Sequence, residues 1–389
     1  MLNTAEVKQG HVGAHCSDTR AIVIMSRIFH CFHVCLFAAT FHLCAGNTSA
    51  TVRDAPETIR GAVYIPFEAF NAPQMWKNFN IDETRRDFGY AAKIHLNALR
   101  VWASYEYWQM EPERFKASFD QFLVTADANH IRILISLFEH DGVPPTPENM
   151  WSTNPAKSFA IQSPGLEIDG DPARWEKPRE FLKWFMENYR NDTRLLAIEI
   201  MNEPFAKSAP FAKEMLITAN SLRGNVPLTM GLCKTDEVKT YFPPGLDVIE
   251  FHDNFPRNPN TFENQIKIAL AVGKEHNLPV WLTEWQRARP GGGGWGKEKL
   301  ASQEEAMPNY ATLAVSVRRY PIGNFFWSLM VKRAYLQSQR LKGTVNGLFW
   351  PDGSVFSLED ARSIAQDPKL ELTEKKSLPA GFLDFLKSK

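Results

Sequence analysis

Two glutamates stand where apolar runs end. In Ile198-Glu199-Ile200-Met201-Asn202-Glu203-Pro204 and in Val280-Trp281-Leu282-Thr283-Glu284-Trp285, a carboxylate closes a stretch that reads as a buried strand. A charge at such a place is unfavourable unless the fold supplies a partner or a task. Two carboxylates brought face to face suit one chemistry in particular. One protonates a leaving oxygen while the other attacks the carbon that the oxygen leaves, as cleavage of a glycosidic bond requires. A separation of about 5–5.5 Å suits direct attack by the carboxylate, whereas about 6.5–9.5 Å leaves room for a water. The bland reading of the pair is a structural ion pair at the rim of the fold.

The elements that carry these residues follow from pattern. After residue 50 the sequence alternates short apolar runs with amphipathic stretches. The runs Ala62–Phe67, Ala98–Trp102, Ile131–Phe138, Leu195–Ile200, Pro227–Leu232, Val248–His252, Val280–Thr283 and Gly323–Ser328 read as strands, mostly with both faces buried, as in a parallel sheet. Between them, Phe115, Phe119, Phe122, Leu123 and Ala126 recur at helical spacing, as do Phe181, Leu182, Trp184 and Phe185, and Ile266, Ile268, Ala269, Leu270 and Val272. Strand starts recur every 20 to 65 residues or so. Eight such units favour a single (β/α)8 TIM barrel over a doubly wound sheet. In a barrel, chemistry belongs where strands end and βα loops begin. Arg100, Asn202 with Glu203, His252, Glu284 and Trp327 all fall at strand ends.

These segments, in this order, resemble clan A glycoside hydrolases, and are most similar to the cellulase-like enzymes of glycoside hydrolase family 5. The resemblance runs from about Ile59 to Ala365. It rests on Asn202-Glu203-Pro204, Thr283-Glu284-Trp285, Leu96-Asn97-Ala98-Leu99-Arg100-Val101-Trp102, Phe251-His252 and Phe326-Trp327-Ser328. It implies that Glu203 is the acid/base and Glu284 the nucleophile of a retaining double displacement. Two nearby carboxylates push one pKa upward, which keeps the acid protonated while the nucleophile is charged. The resemblance also implies that Arg100 lies beneath Glu284, that Asn202 holds the sugar 2-hydroxyl, that Trp327 floors the cleaved sugar, and that His252 and His140 complete a polar ring. One position departs from the family: where a tyrosine usually contacts the nucleophile, this chain has Asn254.

The implied substrate is a plant-type or algal polysaccharide or its oligosaccharides, with β-1,4-glucan first and mannan or xylan as alternatives. A transglycosylase would need the same carboxylates, and a carbohydrate-binding barrel without catalysis is the alternative of another class. No cofactor and no metal are expected, since no His/Cys/Asp cluster has ligand spacing. Glu199 is expected to have a buried structural partner. Trp102, Tyr105, Tyr107 and Trp108 fit either sugar stacking or packing. Gly291 to Lys297 mimics a phosphate-binding loop, but Glu298 follows where Ser or Thr is needed, so it reads as a flexible glycine loop beside the cleft. Substrate choice would rest on Asp141 to Trp175, Trp285 to Lys299 and Met330 to Trp350.

Composition agrees with this picture. Hydrophobic residues make up 44% of the 389 and charged residues 23%, which excludes a disordered chain, a fibre or a multi-span membrane protein. The 44 basic and 44 acidic residues balance, so no net field favours nucleic acid. A monomer is expected. Four of the five cysteines precede residue 47, leaving Cys233 alone in the body, without a disulfide framework. From Ile28 to Gly46 the chain is nearly uncharged, with a short basic start at Met25-Ser26-Arg27 and small residues after it. That is the layout of a secretory signal peptide. Residues 1–46 are therefore expected to be an extension plus signal peptide starting at Met25, and residues 47–389 the barrel with a short tail, secreted or periplasmic. A membrane anchor is the alternative.

Overall fold

The computed structural model describes residues 55–295 and 302–387. The leader over residues 25–46 and the pair Lys297-Glu298 lie outside the described residues. The strands are β1 (Arg60–Val63), β2 (Ala98–Trp102), β3 (Arg132–Glu139), β4 (Leu195–Asn202), β5 (Leu228–Gly231), β6 (Ile249–Asp253), β7 (Val280–Trp285) and β8 (Gly323–Phe326). They form one eight-stranded sheet in the order β5-β4-β3-β2-β1-β8-β7-β6, and the paired neighbours are parallel. Hydrogen bonds from Asp247 N to Leu228 O (2.8 Å) and from His252 N to Leu232 O (3.0 Å) join the two ends of that order. The expected single (β/α)8 barrel is the architecture found.

Helices cover the outside. Ile81–Lys93, Pro112–Ala128, Glu176–Tyr189, Ala209–Ser221, Pro259–His276, Ala311–Val317 and Leu358–Ala365 follow their strands, and the 3-10 segment Thr235–Tyr241 fills the place after β5. The helix Pro112–Ala128 shows why the pattern was readable. Phe115, Phe119, Phe122, Leu123 and Ala126 recur every three or four residues and are its buried face. The rings of Phe119 and Phe122 pack edge-on against Trp76, which ties this helix to the segment after β1. Proline starts the helix Pro259–His276, Asn258 caps it by accepting from Thr261 N, and Asn277 ends it in the left-handed region at φ 54°. Among the described residues no helix is long and apolar enough to cross a membrane.

Side chains of alternate strand residues fill the barrel in layers. Ile59, Ala98, Leu134, Leu196, Ala197, Val248, Trp281 and Phe325 form an apolar layer. Two residues further along β2, β4 and β6 come Arg100, Glu199 and Glu250, all fully buried. The interior therefore changes from hydrocarbon to charge on the way to the mouth.

Past β8, a two-stranded antiparallel hairpin, β9 (Lys332–Arg333) with β10 (Val345–Asn346), stands over the barrel. Lys332 Nζ is buried and donates to Pro66 O (2.6 Å), Phe67 O (2.8 Å) and Ala69 O, anchoring the hairpin to the loop after β1. Burial, and then the charge of Arg340, bring that amine down to about 7.

Candidate active site

Arg100 is the hub of the site. Its Nε and Nη2 donate to Glu199 Oε2 (2.6 Å) and Oε1 (2.7 Å), a bidentate pair. Its Nη1 donates to Glu284 Oε1 (2.7 Å), and Nη2 also reaches Asn202 Oδ1 (2.6 Å). Burial opposes the guanidinium charge, but Glu199 and then Glu284 outweigh it and keep Arg100 protonated. Glu199 thus has the buried partner expected of it, with Ser136 Oγ as a further donor at 2.9 Å. Gly231 at the end of β5 makes the room. A Cβ there would lie 2.6 Å from Glu199 Oε1 and 3.1 Å from Arg100 Nη2. Glu250 faces the same cluster, yet neither of its oxygens has a hydrogen-bond partner among the described residues. Burial, then the charge of Glu199, push it up to about 8, so it sits there as a neutral acid.

Glu284, at the end of β7, is held at both oxygens. Arg100 takes Oε1, and Asn254 Nδ2 donates to Oε2 at 2.8 Å. Asn254, the departure noted in the sequence, thus contacts Glu284 through its amide. Burial raises the Glu284 pKa and the charge of Glu203 adds to this, while His252, Arg100 and the Asn254 amide pull it back.

Glu203, one residue past β4, has φ 44°, a region that non-glycine residues seldom occupy. Its N–H donates to Gly231 O (2.8 Å) and Pro204 follows, so the turn is held from both sides. Such local strain concentrates where a side chain must be aimed. Its Oε1 lies 2.5 Å from His252 Nδ1, which is 3.7 Å from Glu284 Oε1. Burial keeps His252 below its ordinary pKa, hence neutral near pH 7, so this contact is one proton held between a ring nitrogen and a carboxyl. One oxygen of Glu203, one of Glu284 and a ring nitrogen of His252 lie within 4.8 Å of one another. A cation could in principle bridge these three, but Arg100, Asn254 and His252 already engage the oxygens it would need.

By sequence, the chain matches no family model and no curated protein. By structure, it is similar to an exo-β-1,4-mannosidase from Opitutaceae bacterium strain TAV5 (TM-score 0.56, 16% identity), over 79% of this chain and 58% of that one. It is also similar to a family 5 mannosidase from Rhizomucor miehei (TM-score 0.53, 13% identity, 88% of this chain and 99% of that one). A third is an endo-β-1,4-mannanase from Thermotoga petrophila (TM-score 0.51, 15% identity, 80% and 76%). The chain shares its (β/α)8 barrel fold with these glycosidases.

In this barrel a cavity of about 570 Å³ opens at the strand ends. Asn202, Glu203, His252, Glu284 and Trp327 line it, and Arg100 is fully buried. His140 is placed elsewhere: its Nδ1 contacts Ser208 Oγ at 2.8 Å, and it is not among the lining residues. Its chain neighbours line the cavity instead. Glu139 Oε1 accepts from Asn202 Nδ2 and from Asp141 N, both at 2.8 Å. The signal for Glu139 was the one that found Glu203, a carboxylate closing an apolar run. Burial, then Asp141, raise Glu139 well above the carboxylate range, and burial, then Glu203, lift Asp141 to about 8. Burial likewise pushes up the Cys233 thiol beside Glu203.

The walls come from the loops after β6, β7 and β8. The rings of Phe255 and Trp295, tilted to each other with centroids 5.2 Å apart, line one side; Tyr335 lines the other and packs against Trp102 and Trp327. Arg287 donates to Ala306 O (3.0 Å), Val345 O (3.1 Å) and Asn346 Oδ1 (3.1 Å), and Arg289 to Gly293 O and Gln339 Oε1, both at 2.9 Å. These two buried arginines stitch the β7 loop to the hairpin. Trp102, Tyr105 and Tyr107 are buried in the core, with Trp108 packed against it, so packing accounts for these aromatics.

Proposed function

We propose that this protein is a retaining β-glycosidase, with Glu284 as nucleophile and Glu203 as acid/base. The observation that carries the reading is the approach of the two carboxylates to within 4.8 Å, the close spacing that direct attack needs. In the first step a Glu284 oxygen bonds to the anomeric carbon as the bond to the leaving oxygen breaks, and Glu203 gives that oxygen its proton. In the second, Glu203, now a carboxylate, takes a proton from water. The hydroxyl attacks the anomeric carbon, the ester breaks, and the sugar leaves with its original configuration. Asn202, held by Arg100 and Glu139, offers the sugar 2-hydroxyl a fixed amide, and Trp327 forms an apolar floor.

For substrate, β-mannosides and β-mannans come first and β-1,4-glucan second. The support is that the structural neighbours described above are mannosidases and a mannanase. The leader-like stretch over residues 25–46 supports export, and N-terminal sequencing of the mature protein checks it.

The test is sugar release from mannan, β-1,4-glucan and xylan and from aryl β-glycosides, by the protein and by Glu284→Ala. Activity should fall by about 10⁴-fold or more in the variant. Azide should restore turnover of the aryl substrate, giving a glycosyl azide of inverted configuration. Equal glycan binding by both proteins with no release from any substrate would instead make this a carbohydrate-binding barrel.

A further inference from the structure

Gln286 lies two residues beyond Glu284, is 4% exposed, and lines the cavity. Its Nε2 donates to Asn254 Oδ1 at 3.0 Å, and Asn254 Nδ2 in turn donates to Glu284 Oε2 at 2.8 Å. An ionised carboxylate only accepts hydrogen bonds, so Asn254 must turn its NH2 toward Glu284. That leaves Asn254 Oδ1 facing away and in need of a donor, which Gln286 supplies. The direction of both amides is thereby decided by the charge at one end. Gln286 Oε1 is buried and has no hydrogen-bond partner among the described residues. A buried acceptor left unpaired costs stability, so a side chain without it would fold better unless the NH2 end is needed.

We propose that Gln286 is a positioning residue for the nucleophile, acting through Asn254 as a two-amide relay that keeps an N–H on Glu284 Oε2. This rests on the assignment of Glu284 above. A relay of amides does not titrate, so the nucleophile keeps its donor across the pH range. Several charged or titrating groups face Glu284: Arg100 from β2, Glu203 after β4, His252 from β6 and Tyr335 from the hairpin. The relay is the uncharged member of this set.

Two variants test it. Gln286→Met keeps the shape and removes the donor, freeing the Asn254 amide to rotate. Gln286→Glu replaces the donor by an acceptor, so Asn254 must turn its NH2 outward and its Oδ1 onto Glu284. Thermal melts confirm that both fold. With an aryl β-mannoside, or whichever aryl glycoside the protein prefers, Gln286→Met should lower kcat about tenfold and move the acid limb of kcat/KM to higher pH. Gln286→Glu should lose more at pH 7 and recover part of the loss at acid pH, where the introduced carboxyl regains a proton to donate. In parallel, the Glu284 pKa is read by NMR in protein carrying ¹³C-labelled glutamate, with Glu284→Gln to assign the signal. It should rise in both variants. This readout needs no turnover, so an inactive wild type would overturn the glycosidase reading while the relay is still judged. An unchanged Glu284 pKa in both folded variants would overturn the relay, as would a folded Gln286→Glu with the wild-type pH profile.

Discussion

On the β7 side of the mouth, the Glu284 side chain is 5% exposed and its oxygens are held by a guanidinium and an amide. On the β4 side, the Glu203 side chain is 14% exposed and its neighbours include His252 and Asp141, both able to gain or lose a proton. The two carboxylates are close in space and opposite in surroundings. One must present a charged oxygen at a fixed place, and donors that do not titrate do this best. The other must give up a proton and take one back, which calls for room, partial solvent access and groups among which charge can move. A single barrel mouth meets both demands by drawing each half of the site from different strands.

The comparison is tested hardest by Glu203→Gln. An amide cannot act as acid or base, so kcat/KM on a poor leaving group should drop by about 10²–10⁴-fold. An activated aryl leaving group needs no proton, so its first step should be largely spared and glycosyl-enzyme should accumulate in a burst. Equal losses on both substrates in rapid-quench measurements would mean that Glu203 does not handle the leaving proton.

Next in size is Arg100→Met, which strips the nucleophile side of its cation. Glu199 would be left buried without its partner, at a cost of about 3–5 kcal/mol in denaturant unfolding. Adding Glu199→Met should regain most of that stability, since an apolar pair can replace a buried ion pair. It should not regain activity, because Glu284 Oε1 still lacks the guanidinium. An active double variant would show that Arg100 serves the barrel interior alone.

How far these contrasts could be read beforehand differs between elements. β2 matches its expected span at both ends because Ala98–Trp102 is an apolar run interrupted by Arg100 alone and preceded by Asn97. β1 was expected at Ala62–Phe67 and lies at Arg60–Val63, since a strand that opens on Arg60 and Gly61 has no apolar signature. Glu203, Glu284, Arg100 and His252 were legible because each interrupts or ends a hydrophobic run. Glu139 carried the same mark but was passed over for His140, whose ring turns to Ser208. Asn254 was legible only as a departure, and Gln286 not at all. The meaning of both lies in contacts about 30 residues away, between loops whose approach is set by the barrel. Arg287 and Arg289 are buried through partners up to 59 residues distant, and nothing local distinguishes them from surface arginines.

The smallest effect, and the finest probe of the acid/base side, is Asp141→Asn. The Asp141 carboxyl is lifted to about 8 by burial and then by Glu203. Between its unfolded value of about 3.9 and about 8, the folded protein binds more protons than the unfolded chain. Folding stability contributed by this group therefore falls as pH rises through that window. The asparagine variant has no such slope, so its stability relative to wild type should climb from pH 4 to pH 8 and level off above, as melts across pH would show. In activity, the wild type should show an ionisation near pH 8 in kcat/KM, where a negative charge forms on Asp141 beside Glu203, and the variant should lack it. The acid limb, which belongs to the nucleophile side, should not move, because Glu284 answers chiefly to burial, His252, Arg100, Glu203 and Asn254. A shift of the acid limb in Asp141→Asn would show that the two halves of the mouth share one electrostatic environment, and the contrast between them would have to be redrawn.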